Sequence, residues 1–94
     1  MELRHLRYFA AVAEFRNVTQ AARRLHVAQP ALSRQIQDLE EELGLKLVER
    51  SSRGIKLTEA GKFFAGEADA ILARAAEAVK AVRAIGRGEM GNCA

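Results

Sequence analysis

The 94-residue sequence contains one cysteine, Cys93, and one proline, Pro30. A single cysteine cannot form an intramolecular disulfide, and no Cys or His spacing suits a structural zinc site. No apolar segment is long enough for a signal peptide or approaches the length of a transmembrane helix. The length allows one domain, with at most an appended helix. Together these absences predict a small, soluble, cytoplasmic protein.

Patterns that support catalysis are also absent. We find no Ser-His-Asp constellation, glycine-rich phosphate loop or paired-carboxylate geometry. His5 and His26 have no ligand partners nearby, so we expect them to be structural. Glu40, Glu41 and Glu42 point in different directions because they are consecutive on a helix, which predicts a solvated helix end and no metal or acid/base cluster. The sequence therefore predicts a protein that is not an enzyme and has no cofactor.

The charge distribution is more informative than the net charge of +3, which 15 Lys and Arg and 12 Asp and Glu produce. No carboxylate lies between Glu14 and Asp38, and Glu49 is the only acid between Leu43 and Thr58. The basic residues of these two stretches are Arg16, Arg23, Arg24, Arg34, Lys46, Arg50, Arg53 and Lys56. Positive charge gathered on particular segments favours contact with nucleic acid.

The segment from Thr19 to Leu43 has the pattern of two helices separated by a very short break. A buried side at helical spacing is formed by Ala22, Leu25, Val27, Leu32, Ile36, Leu39 and Leu43. The opposite side of the second of these helices carries Gln29, Pro30, Ser33, Arg34 and Gln37. Gln and Arg make bidentate hydrogen bonds to purine edges in the major groove. The pattern predicts a helix-turn-helix that binds DNA.

Less specific interpretations of the same residues stay open at this point. Arg34 could be a solvated helix residue paired with Asp38 at i+4. Gln29 and Ser33 could be ordinary polar surface, and Arg53 could be a solvated turn residue.

Flanking elements follow from local signals. An amphipathic helix is predicted from Glu2 to about Phe15. Asn17 resembles a helix cap, the next helix ends near Leu25, and the following one runs from about Pro30 to a stop at Gly44. Strands are then predicted over 45–50 and 55–57, with a turn at 51–54 between them. Such a hairpin is a wing, whose basic tip could reach phosphates or the minor groove.

Thr58 is predicted to cap a long final helix. Apolar residues recur along it with 4-3-4-3 spacing, namely Phe64, Ala68, Ile71, Ala75, Ala78, Val82 and Ile85, and Leu72 and Val79 widen this seam. A helix of about 28 residues extends roughly 42 Å, well beyond a small three-helix core. Its first turns, around Phe63 and Phe64, are expected to pack on their own domain. The outer part is expected to pair with a second copy.

Three segments together resemble the N-terminal domain of the LysR-type transcriptional regulators over residues 1 to about 86. They are LRYFAAVAE, TQAARRLHVAQPALSRQIQDLEEELG and LVERSSRGIKLTEAG. The MELRHLRYF start and the AQPALSRQIQ segment look most like the branch that governs aromatic-compound breakdown. The resemblance implies a mainly α winged helix-turn-helix over 1–58, with the motif itself at about 18–37. It also implies a linker and dimerisation helix over 59–86 and a hinge over 87–94.

Roles for individual residues come from the same resemblance. Residues implied to face base edges are Gln29, Pro30, Ser33 and Arg34. Ala31 stands where relatives often have proline and would touch a thymine methyl less fully. Thr19 would position phosphate, and Arg50 and Arg53 would serve the wing's backbone or minor-groove contacts. Ala28 departs from the family pattern, in which serine is common, and lacks a side-chain acceptor for capping, a loss of about 1 kcal/mol.

Several partners are implied as well. They are double-stranded DNA with an interrupted inverted repeat, a second copy of the chain, a tetramer in a full-length protein, and RNA polymerase. An absent C-terminal domain would sense a small inducer, so that the chain corresponds to a fragment of a longer regulator. A different class of function, a helical adaptor that docks another protein through the long seam, is also compatible with the last helix. An adaptor does not require the acid-free basic stretch from Asn17 to Gln37.

Overall fold

The computed structural model describes residues 1–88, which form four helices and a two-stranded antiparallel sheet. The elements are α1 (Leu3–Phe15), α2 (Val18–Leu25), α3 (Gln29–Leu43), β1 (Val48–Ser51), β2 (Gly54–Leu57) and α4 (Glu59–Gly86). The predicted fold class is therefore confirmed. Cys93 and most of the predicted hinge over 87–94 lie outside the described residues.

Side-chain caps determine where two of the helices begin. Asn17 Oδ1 accepts a hydrogen bond from the backbone N–H of Gln20 at 2.9 Å, and Thr58 Oγ1 accepts one from Gly61 at 3.0 Å. Each of these bonds satisfies an N–H that would lack a partner within the helix. Ala28, at the N-cap of α3, makes no side-chain cap. All three observations agree with the sequence pattern.

The core lies where α1, α2 and α3 meet the first turns of α4. Its largest fully buried side chains are Phe9, Leu32, Leu39, Leu47 and Val12. Phe64 of α4 packs on Phe9 with ring centroids 5.7 Å apart. The first turns of α4 therefore pack on the domain through Phe64 but not through Phe63, which is 72% exposed. The remainder of the helix projects away from the domain. No helix among the described residues is both long enough and apolar enough to span a membrane.

The first strand begins three residues later than the sequence predicts. The backbone N–H groups of Gly44 and Leu45 both donate to the Glu40 carbonyl oxygen, at 2.8 and 3.2 Å. These two bonds cap the end of α3, where Gly44 has a φ of 75°. Leu45 takes part in this cap and so does not yet belong to the strand. The strands pair from Val48↔Leu57 to Ser51↔Gly54. Correspondingly, Leu45 is exposed whereas Leu47 and Val48 are buried.

The hairpin, which we call the wing, is fixed to the end of α1. The N–H of Ile55 donates to the Arg16 carbonyl oxygen at 3.0 Å. Gly54, with a φ of 114°, lies so close that a Cβ there would come within 2.7 Å of the same oxygen. Only glycine combines this backbone conformation with this approach.

Candidate nucleic-acid interface

One outward surface of α3 carries the residues predicted to contact DNA. Gln29, Pro30, Ala31 and Arg34 are exposed, and Ser33 is half-buried. The residues on the opposite side of the helix, Leu32, Ile36 and Leu39, are buried in the core. Periodicity therefore assigned these residues correctly, whereas Leu43, predicted on the buried side, is exposed at the end of the helix. Because the core holds the inner side, the outer side chains are presented from a fixed backbone.

Thr19 and Gln29 are brought together by the tight packing of α2 against α3. Thr19 Oγ1 donates a hydrogen bond to Gln29 Oε1 at 3.2 Å. This contact orients the amide so that its NH2 group remains available as a donor, and the oxygen retains a second lone pair. A Gln amide held in this way offers the adjacent donor and acceptor that recognise an adenine edge.

Ser33 and Arg50 form a second pair, between α3 and β1. Arg50 Nη2 donates to Ser33 Oγ at 2.9 Å. The Arg50 guanidinium therefore lies beside the outward surface of α3. Arg53, by contrast, is exposed in the hairpin turn, where its backbone N–H donates to Ser51 Oγ at 3.2 Å. The two wing arginines occupy different places, a distinction that the sequence alone did not reveal.

Arg34 does have the ion pair that the less specific interpretation predicts. Its Nε lies 3.5 Å from Asp38 Oδ1, and its side chain remains 76% exposed. An exposed pair of this kind contributes about 0–1 kcal/mol, whereas a bidentate contact to guanine contributes about 1–3 kcal/mol of discrimination. The pair is therefore too weak to keep Arg34 from a base edge.

The single acidic residue of the wing, Glu49, lies opposite the basic residue Lys56. Glu49 pairs with Lys56 across the two strands, and both are exposed. Opposite charges at facing positions of a sheet compensate each other, so Arg50 and Arg53 provide the net positive charge of the wing. Arg23 and Arg24, in the last turn of α2, are exposed as well. The positive charge expected from the sequence is thus on the surface.

Glu40 corrects the prediction that residues 40–42 are a solvated helix end. Its side chain is buried, and Oε2 accepts hydrogen bonds from the backbone N–H groups of Leu47 at 2.7 Å and Val48 at 3.1 Å. Glu41 and Glu42 are exposed, as predicted. The sequence did contain a signal that Glu40 is buried, because Glu40 follows the buried Ile36 by four residues and so lies on the inner side of α3.

The two histidines have the structural positions that were expected. His5 Nδ1 accepts a hydrogen bond from the Glu2 backbone N–H at 3.0 Å. His26 ends α2 in a left-handed conformation, with a φ of 60°. In the part of the chain that the structure describes, no three His, Cys, Asp or Glu residues are grouped to hold a metal ion.

The predicted seam on α4 divides into an inner and an outer part. Ala68 is fully buried and Phe64 half-buried against the domain itself. Further out, Ile71, Val82 and Ile85 are 41%, 66% and 54% exposed; of the other outer seam residues, Ala75 is half-buried and Ala78 is exposed. The apolar surface that remains free for a partner therefore begins near Ile71.

Comparison with known proteins agrees with this architecture. A family model described as the bacterial regulatory helix-turn-helix protein, lysR family, matches residues 3–62. The HTH-type transcriptional regulator BudR of Raoultella terrigena is 52% identical over 92 residues, which are 98% of this chain and 32% of BudR. The chain thus spans about a third of that relative's length, and 64% of a BudR from Klebsiella aerogenes.

Solved structures give the same result. The BenM DNA-binding domain, in complex with catB site 1 DNA, superimposes with a TM-score of 0.89 at 52% identity, covering 92% of this chain and 96% of that one. Full-length CbnR, complexed with its target DNA, gives 0.86 at 52% identity over 94% of this chain and 31% of that one. BenM and CbnR are LysR regulators of the aromatic-catabolism branch. The chain belongs to the LysR family of bacterial helix-turn-helix regulators and is similar to members of that branch.

Proposed function

We propose that this chain binds double-stranded DNA sequence-specifically, as the DNA-binding part of a LysR-type transcriptional regulator. The observation that carries the proposal is the single exposed surface formed by α3 and the wing. It presents Gln29, Ser33, Arg34 and Arg50 from a rigid core, and its two side-chain pairs hold polar groups in place. The relatives BenM and CbnR were solved with DNA bound, which supports the same role here.

Each element of the interface has its own role in this proposal. Gln29, Pro30, Ala31, Ser33 and Arg34 enter the major groove and contact base edges. Thr19 positions phosphate, and Arg53 contacts the backbone or minor groove from the tip of the wing. Arg50 acts beside Ser33, at the edge of the recognition surface.

We further propose that the molecule acts as a homodimer. The exposed outer part of α4 pairs with the same helix of a second copy, and the two recognition surfaces then contact an interrupted inverted repeat.

The proposal also divides the chain by role. Residues 1–58 bind DNA, 59–86 form the linker helix and 87–94 lead to a further domain that senses a small inducer. RNA polymerase is the partner through which the complete regulator would act. The relatives are transcriptional regulators, and the proposed role involves no catalysis.

A titration with generic duplex DNA at two salt concentrations tests the class of function. If the chain contacts several phosphates, its affinity for DNA should fall steeply as the salt concentration rises from about 50 to 200 mM. Arg53→Ala should weaken all sequences similarly and reduce the salt slope by about one. Lys80→Ala, which removes an exposed cation from the outer part of α4, is the matched control and should leave the slope unchanged. Salt-independent or absent binding would instead favour the helical adaptor.

A further inference from the structure

The wing is connected to three helices, and its hydrogen bonds to α3 are few. Ile55 bonds to the end of α1, and Thr58, which caps α4, bonds to Lys46 and Leu47 through its hydroxyl and N–H. Among the described residues, the hydrogen bonds between α3 and residues 46–57 are the two that Glu40 accepts and the exposed Arg50–Ser33 bond. Beside the apolar core that α3 and the strands share, Glu40 therefore provides the buried hydrogen-bonded connection between α3, the recognition helix of the proposed function, and the wing.

The geometry of this connection suits a rigid joint. The Glu40 side chain is 8% exposed, and a single oxygen accepts two adjacent backbone N–H groups. Hydrogen bonds to a charged acceptor are stronger than neutral ones. The other carboxylate oxygen lies 3.8 Å from Lys46 Nζ. Because both donors are main-chain N–H groups, the two bonds fix the position of the strand backbone itself.

A shift at the inner end of β1 would be carried to the tip of the wing. Val48 is the first of the four residues of β1, Arg50 is the third, and the turn with Arg53 follows directly. We infer that Glu40 is a positioning residue for DNA recognition: its carboxylate sets the angle between α3 and the wing, and so holds Arg50 beside Ser33 and Arg53 at the distance of the DNA backbone. This inference rests on the proposed function.

Two variants separate the reach of the carboxylate from its charge. Glu40→Asp retains the charge but is one methylene shorter, so it cannot reach both N–H groups. Glu40→Gln retains the reach and one acceptor oxygen but is neutral. If the length of the Glu40 side chain positions the wing, Glu40→Asp should weaken specific DNA binding more than Glu40→Gln does. Glu41→Asp, on the exposed side of the same helix, is the control and should bind like the unmodified chain. Circular dichroism before each titration establishes that the variant is folded.

A double-mutant cycle with Arg53→Ala gives a readout that a purely structural role would not affect. In the unmodified chain, Arg53→Ala should weaken binding roughly fivefold to tenfold, as expected for loss of one charge-assisted hydrogen bond. In the Glu40→Asp background the wing is displaced, so the same change should cost less than about twofold. Arg34→Ala, by contrast, should have its full effect in both backgrounds because Arg34 lies on α3 itself.

The outcomes are distinguishable. Full effects of Arg53→Ala and Arg34→Ala in the Glu40→Asp background would overturn the inference while leaving the proposed function intact. Equal shrinkage of both effects would overturn it too, since it would indicate a general loss of the interface. Absence of duplex binding by the unmodified chain would instead refute the proposed function. If Glu40→Asp is not folded at the titration temperature, the cycle in Glu40→Gln decides. The Arg53→Ala effect should follow hydrogen exchange at Leu47 and Val48, staying full if exchange is unchanged and shrinking if exchange is faster. A full effect despite faster exchange would refute the inference.

Discussion

Gln29 and Ser33 illustrate how single residues are prepared for binding in this protein. Each is a polar side chain on the outward side of α3, and each has a hydrogen-bond partner from another element, Thr19 or Arg50. Such a partner restricts the rotamers of the free protein, which reduces the entropy lost when the same side chain is immobilised on DNA. Arg34 has only an exposed ion pair, so more of its ordering occurs on binding.

Arg34→Ala is expected to weaken the specific site by about 1–3 kcal/mol and to relax base preference at one position. The reason is the loss of a bidentate donor from the centre of the recognition surface. Affinity for a set of single-base variants of the selected site measures both effects. Asp38→Asn is the control, because it removes the ion-pair partner and leaves Arg34 in place, and it should not lower the affinity. Undiminished base preference in Arg34→Ala would show that another residue makes the contact.

Gly61 is a residue whose small size the packing requires. A Cβ at this position would overlap the Leu47 carbonyl oxygen, which is a main-chain atom and cannot move aside. Gly61→Ala should therefore lower the free energy of unfolding by about 1–3 kcal/mol. At Gly66, in the same helix, an added Cβ would meet nothing within 4 Å, and Gly66→Ala should raise the free energy of unfolding by roughly 0.5–1 kcal/mol. Denaturant unfolding at one fixed protein concentration compares the two, and equal effects of both changes would contradict this account.

At the scale of elements, the starts of α2, α3 and α4 differ in their caps. Asn17 and Thr58 provide side-chain acceptors for α2 and α4, whereas α3 begins at Ala28 with none. Of these three, α3 is thus the helix without a side-chain cap, and its first turn contains Pro30, which has no N–H to satisfy. The start of α3 is accordingly a position where an added side-chain cap can raise stability.

Ala28→Ser is expected to raise the free energy of unfolding by about 1 kcal/mol. Ala28 already has the extended conformation of an N-cap, with φ −70° and ψ 143°, so the serine hydroxyl can accept from an N–H in the first turn without rearrangement. Chemical denaturation measures the change. Ala28→Val, which adds bulk but no acceptor, is the control and should give no gain. A comparable gain in both variants would attribute the effect to something other than capping.

At the scale of the whole molecule, α4 dominates the shape. Residues 1–88 extend 56 Å along their longest axis and 25 by 19 Å across it. The helix supplies this length, and its outer turns expose Val82 and Ile85 without cover from the domain. An exposed apolar stripe on a projecting helix is stable in water only with a partner of matching shape, and a second copy of the same seam provides one.

Ile71→Asp is expected to raise the dimer dissociation constant at least tenfold, which corresponds to about 1.4 kcal/mol. The charge would be placed where the apolar surface free for a partner begins, and burying an unpaired carboxylate is unfavourable. Sedimentation equilibrium measures the association. Ala73→Asp introduces the same charge on an exposed position away from the seam and should leave the association unchanged. An Ile71→Asp variant that sediments at the mass of the unmodified dimer would disprove the assignment of the seam.

Most of the fold was accessible from the sequence because it depends on neighbours along the chain. Except at Glu40 and Leu43, periodicity separated the inner and outer sides of α3. Asn17, Gly44 and Thr58 marked helix ends through bonds that reach only a few residues. These are interactions of a helix with itself, and their spacing is visible in the residue order.

The arrangement of the candidate interface depended on tertiary structure. The bond between Ser33 and Arg50 joins residues 17 apart, and the Glu40 carboxylate accepts from residues seven and eight positions later. No local propensity encodes such contacts, because they exist only once the chain has brought β1 against α3. The sequence by itself thus determined which residues form helices and which side of each is polar. Only the tertiary structure decided how the wing is held beside the recognition helix, since that angle is set by main-chain groups that one buried carboxylate binds.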